Sequence, residues 1–212
     1  MRFYVYVIAL LALLLGTPAT AAETPELAVA AIQKAVDTHD PVLLEKYIDL
    51  RGVIARGVDT FVRDYATHPP VGEGDPLLEM LAAGLNNQSN PEASRSMKLL
   101  LVEETRKFVI RGVASGDFSG RPSGRTDLPD GGIFAALFAD ASTDRKEIRS
   151  VRVLPPKGDR TTATAKVHDF GSQRAYPVQL GLARQPQGQW KVTDVGNMAE
   201  LIRMVRSEAG AR

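Results

Sequence analysis

The sequence has no cysteine, one tryptophan and three histidines. Without cysteine there can be no disulfide framework, no thiolate metal site and no cysteine nucleophile. His39, His68 and His168 stand far apart and form no HxxxH or HExxH spacing, so no metal-ligand set is legible. Each reads as a surface or capping histidine. An excess of one charge is also missing. Lys and Arg number 26 against 25 Asp and Glu, and neither sign forms a long block. Basic residues interleaved with aromatics are absent, which argues against nucleic acid as a partner. No Gly-x-Ser-x-Gly elbow and no phosphate loop ending in Gly-Lys-Ser/Thr occurs, and no motif calls for a cofactor.

Long apolar runs are scarce too. Phe3 to Leu15 is an apolar run of thirteen residues, short of the about 20 needed to cross a hydrocarbon core. Arg2 precedes it, and Gly16-Thr17-Pro18 and the small residues Ala19-Thr20-Ala21-Ala22 follow. Residues 1–22 therefore read as a secretory signal peptide, and the absence of cysteine after the run excludes lipidation. Cleavage would remove the single Arg of the leader and leave a formally neutral chain of about 190 residues. The expectation is a periplasmic or extracellular protein with no membrane span after cleavage, held by packing alone.

What is present is a change of period halfway along the chain. Thr24-Pro25, Asp40-Pro41, Asp75-Pro76 and Asn90-Pro91 each join a capping side chain to a proline that loses nothing in a first helical turn. Val29, Ile32 and Val36 recur at helical spacing after the first, and Leu44, Tyr47 and Ile48 after the second. Leu50, Ile54, Val58, Phe61 and Tyr65 then form a helical stripe, although Gly57 within it costs about 1 kcal/mol relative to Ala. Thr67 to Gly74 reads as a linker, and 76–86 as a short helix with Leu77, Leu78, Leu81 and Leu85 inward. A longer helix over 91–113 carries Leu99-Leu100-Leu101-Val102, apolar on every side, which predicts passage through the middle of the protein. Residues 115–132, with Arg121 and Arg125, read as a long loop, functional or disordered. A short apolar helix is expected from Ile133 to Phe138.

From Lys146 the pattern alternates. Ala163, Ala165 and Val167 share one strand face, opposite Thr162, Thr164, Lys166 and His168. Tyr176, Val178, Leu180 and Leu182 alternate in a second strand, Trp190 and Val192 in a third. Short turns at 155–159, 171–172 and 186–188 require antiparallel neighbours, so the region over 145–195 reads as a four-stranded meander. Asn197 can cap a final helix over 197–207, with Met198, Leu201, Ile202 and Val205 inward. Neither layer could bury its apolar face alone. The expectation is α+β, one domain over 23–212, with the helical part 24–139 packed on the sheet.

The strand Gln189-Trp190-Lys191-Val192-Thr193-Asp194-Val195, after amino-terminal helices and a terminal antiparallel sheet, resembles the nuclear transport factor 2-like (cystatin-like) α+β superfamily. The stretch from Val151 to Arg206 is also similar to the carboxy-terminal part of periplasmic phospholipid-shuttle proteins of the toluene-tolerance type, in which such a strand leads into a last helix. These resemblances imply a concave sheet that encloses an apolar pocket with its helices. The small residues Ala163 and Ala165 fit an underfilled sheet face. The residues expected to line such a pocket are Tyr47, Phe61, Tyr65, Ala163, Ala165, Tyr176, Val178, Leu180 and Trp190.

The reading is an exported, non-enzymatic binding protein that holds a small apolar molecule such as a lipid, or docks another exported or membrane protein. An isomerase or hydratase on the same fold is the alternative, with Asp49 or Asp169 as the acid. Against it, Asp49 reads as a helix cap and Asp169 as the start of a turn. A third reading is an adaptor that uses Arg121 and Arg125 of the 115–132 loop as guanidinium forks.

Overall fold

The computed structural model describes residues 23–68, 76–122 and 143–209. The leader, most of the linker, Asp75, Arg125 and the helix expected at 133–138 lie outside them. The described residues form six α-helices and four strands: α1 Pro25–Asp37, α2 Pro41–Tyr47, α3 Leu50–Thr67, α4 Pro76–Leu85, α5 Pro91–Ala114, β1 Lys146–Val153, β2 Arg160–Asp169, β3 Arg174–Arg184, β4 Trp190–Val195 and α6 Met198–Ala209. A 3-10 turn at Asp117–Ser119 follows α5. The architecture is α+β, with helices first, an antiparallel meander in the order β1-β2-β3-β4, and a helix last.

The helix starts follow local chemistry. Thr24 Oγ1 accepts from the Leu27 amide at 3.3 Å, Asp40 from Leu43 at 2.8 Å and Asn90 from Ala93 at 3.0 Å. Each is followed by proline in the first turn. Asp49 caps α3 in the same way through the Gly52 amide at 3.1 Å. These bonds satisfy amides that a helix start leaves without intrahelical partners.

In the β2–β3 ladder Ala163 faces Leu180, Ala165 faces Val178 and Val167 faces Tyr176, so all six lie on one face. Helix α1 lies against both β1 and β4, the two edges of the sheet. With 13 residues α1 is about 20 Å long, enough to cross the about 14 Å between the edge strands of a four-stranded sheet. Ala28, Val29, Ile32 and Ala35 of α1 join Ala163, Leu182, Trp190 and Val192 in the main core. Ala28, Ala35 and Ala163 are 0% exposed. The low volume of Ala163 is thus matched by helix side chains that are equally small.

Both sheet edges are occupied. On β4, the Asp49 amide donates to the Val192 carbonyl at 2.9 Å, and Ile48 bridges the same residue. On β1, Gln33 Oε1 accepts from the Ile148 amide at 2.7 Å, and a bulge between Arg149 and Arg152 breaks the register further along. Bare edges would offer unpaired groups to another chain.

Helices α3, α4 and α5 pack around a second cluster of Val58, Leu81, Leu101 and Val102. Arg106 of α5 binds Glu45 of α2 at 2.6 and 2.8 Å and Glu103 at 2.9 Å, while Arg51 of α3 reaches Glu103 at 2.7 Å. The hydrogen bonds to Glu45 hold the Arg106 guanidinium above its ordinary range.

Three expectations are corrected here. Leu99 is 68% exposed and Leu100 43%, so α5 does not run through the middle of the protein. It packs on α3 and α4, and a helix held from those sides leaves a third face open. Val205 is exposed rather than inward, because the last turns of α6 meet α3 through Arg206 instead. Asn197 precedes α6, but its side chain serves β3, accepting from the Gln179 amide at 2.9 Å and donating to the Pro177 carbonyl at 2.8 Å.

At Gly57 an added Cβ would lie 3.5 Å from Met198 Cε, an ordinary contact. Gly57→Ala is therefore expected to stabilise the protein by about 0.5–1 kcal/mol, since alanine is the better helix former. A urea titration that found it less stable than the parent would contradict this packing of α6 on α3.

Candidate functional site

The nine residues expected to line a pocket fall into separate places. Tyr47, Ala163 and Trp190 are buried in the main core, with Leu180 half-buried against it. The guanidinium of Arg184 lies 5.0 Å from the Trp190 ring, and Trp190 Nε1 is buried with no hydrogen-bond partner among the described residues. A hydrogen bond to the Glu23 carboxylate, with burial adding to it, pushes the Tyr47 phenol up. Ala165 and Val178 are buried but stand outside both core clusters, with half-buried Tyr176 beyond them on the same face. Phe61 and Tyr65 pack together on α3, ring centroids 5.6 Å apart.

The early part of the 115–132 stretch is built structure. Phe118 and Ser119 are buried, and the Phe118 ring lies 6.0 Å from Phe108 in an edge contact. Ser119 Oγ donates to the Gly116 carbonyl at 2.7 Å and lies 2.8 Å from His39 Nε2. This buried hydroxyl joins the α1–α2 corner to the turn. Arg121 is exposed just after the turn. Asp169 behaves as a turn residue, accepting from the Gly171 amide at 3.1 Å and from Ser172 Oγ at 2.9 Å. No group of three His, Asp or Glu among the described residues could hold a metal ion.

An open recess lies in the helical layer. Val58 and Val62 of α3 and Leu85 of α4 supply apolar walls of a groove of about 360 Å³ open to solvent, and Arg63, Arg95 and Lys98 supply cations. This volume falls within the range of small-ligand sites. Lys98 Nζ is held by Asp59 at 2.6 and 2.7 Å. Among the described residues the Arg63 guanidinium reaches only the Thr60 hydroxyl, at 3.4 Å. Neither Arg63 nor Arg95 has a carboxylate partner among the described residues. An apolar wall beside two uncommitted guanidiniums can receive an amphipathic anion, its tail on the valines and its head on the arginines.

No protein-family model matches the sequence, and no curated protein matches it. Among solved structures, a phospholipid-binding protein from Ralstonia solanacearum in complex with a phospholipid aligns over 87% of this chain and 86% of its own length. The aligned residues are 14% identical and the TM-score is 0.28. Similarity at that level does not establish a shared fold.

Beside the groove, α3 carries a buried carboxylate that sequence reasoning missed. Asp64 is 6% exposed. Arg206 Nη1 donates to it at 2.8 Å, Arg203 lies at 3.6 Å and His68 Nδ1 at 3.4 Å. Arg206 also donates to the His68 carbonyl at 2.8 Å and lies 5.0 Å from the Tyr65 ring. The cluster fixes α6 to the carboxy-terminal end of α3. The visible hint was an acid at the margin of the Phe61–Tyr65 stripe. The residues of the groove gave less, since Val62, Leu85 and Arg95 sit on three different helices.

Proposed function

We propose that this chain is an exported, non-enzymatic binding protein whose ligand is a small amphipathic anion with an apolar tail. The observation that carries the reading is the α3–α5 groove, where Val58, Val62 and Leu85 stand beside Arg63 and Arg95, neither paired with a carboxylate among the described residues. Export rests on the leader pattern of residues 1–22. The resemblance to phospholipid-shuttle and nuclear transport factor 2-like proteins adds the expectation of an apolar ligand.

Native mass spectrometry of the purified protein, with organic extraction, tests the reading, and laurate titration supplies a defined probe. An anionic amphiphile is expected to co-purify, and laurate to bind. Arg95→Gln should weaken laurate about tenfold, as loss of a charged hydrogen bond does. Val62→Asp should abolish binding while the far-ultraviolet circular dichroism stays unchanged. Recovery of no ligand together with no laurate binding would remove the proposal. Binding untouched by either substitution would move the site away from this groove.

A further inference from the structure

The outer face of the sheet carries a feature that the groove between the helices does not explain. Across the β1–β2 ladder Arg149 lies directly opposite Lys166, and like charges in that relation are destabilising. One step along, Arg152 lies opposite Thr164. From Arg149 to Arg152 strand β1 advances three residues while β2 advances two. The extra residue is a bulge, and Ser150 within it has φ 54°, a conformation uncommon outside glycine. A regular strand would put residues 149 and 151 on one face. The bulge puts Arg152 there instead, beside Lys166.

Arg149 is committed, to Glu147 at 2.8 Å and to the Phe170 ring at 5.7 Å. Arg152 and Lys166 have no carboxylate partner among the described residues. Both line a groove of about 470 Å³, with the hydroxyl-bearing Ser150 and Thr164, and Gln179. Glu200, at the start of α6, also lines it. Two free cations, two hydroxyls, an amide and a backbone bent to bring them together form the chemistry of an oxyanion receptor. The strain of Ser150 and the opposed cations are costs that a bound anion would offset.

We propose that this outer-face groove binds a phosphate-type oxyanion, held by Arg152 and Lys166. It shares no residue with the α3–α5 groove, so the two readings fail separately. The anion is either free phosphate or a phosphate carried on a lipid headgroup. Two arms distinguish these: calorimetric titration of the purified protein with inorganic phosphate, and co-sedimentation with phosphatidylglycerol vesicles against phosphatidylcholine vesicles. Saturable phosphate binding marks the free anion, whereas binding only to phosphatidylglycerol vesicles marks the headgroup. In either case Arg152→Gln and Lys166→Gln should each weaken binding about tenfold, Glu200→Gln should strengthen it, and Lys34→Gln, at an exposed position of α1, should leave it unchanged. The three groove variants alter exposed side chains, and without anion Lys166→Gln should melt no lower than the parent because it removes the cation facing Arg149. Absence of binding in both arms, or binding that survives both Arg152→Gln and Lys166→Gln, overturns the proposal.

Discussion

Trp190→Ala is expected to lower the stability of the protein by about 4 kcal/mol, the cost of a large cavity at a fully packed aromatic. Trp190 is 0% exposed and sits in the core where α1, α2, β2 and β4 meet. Its removal takes contacts from both the helical and the sheet layer, and for a chain of this length the melting temperature should fall by about 10 °C. Trp190→Phe separates volume from polarity. It keeps a ring in place and deletes Nε1, a buried donor without a partner among the described residues. An orphan donor carries a desolvation cost, so the phenylalanine variant should lose no more than about 2 kcal/mol, well short of the alanine variant. Equal losses in the two, measured by urea denaturation, would mean that the indole N–H is satisfied and that the ring's volume matters less than its polar edge.

Asp64→Asn is expected to cost about 3 kcal/mol, near the lower end for breaking a buried ion pair from one side. The lower end applies because Arg206 keeps 21% side-chain exposure and Arg203 52%, so neither is stranded fully from water. The amide would still accept one hydrogen bond from Arg206 but would carry no charge to balance it. Restoring neutrality should recover stability. The pair Asp64→Asn with Arg206→Met is expected to be more stable than the sum of the single changes, and a double-mutant cycle measures the coupling. Additive effects would show that α6 is held by contacts such as Met198 at Gly57 and that the ion cluster is incidental.

Local chemistry was legible in the sequence. Thr24, Asp40, Asp49 and Asn90 all cap the helices they precede, because a cap and its amide lie three residues apart and depend on nothing distant. The alternation of Ala163 to Val167 with Thr162 to His168 likewise set the two faces of β2, since strand period is a property of the chain itself. Tertiary placement was not legible. An all-round apolar segment such as Leu99 to Val102 fits a helix in the middle of a protein and equally one whose outer face is bare, and periodicity cannot separate the two. Asp64 and Arg206 lie 142 positions apart, and nothing near either announces the other. The bulge at Ser150 is a single additional residue in an otherwise regular strand. Strict alternation places Arg152 on the wrong side of the sheet, which is why the outer-face cations escaped notice.

The bond from the Asp49 amide to the Val192 carbonyl also sets an order of events. A ribosome delivers the helices first, yet the face of α1 that carries Val29 and Ile32 finds its cover in Trp190 and Val192 near the far end of the chain. Until those residues emerge, the amino-terminal two thirds has capped helices and the small cluster around Val58 and Leu101, but its main core is incomplete. Closure must then wait for pairings between the most widely separated parts of the polypeptide, the kind of contact that slows folding. A nascent chain with that topology stays open through most of its synthesis, and a late truncation before β4 would leave it open for good.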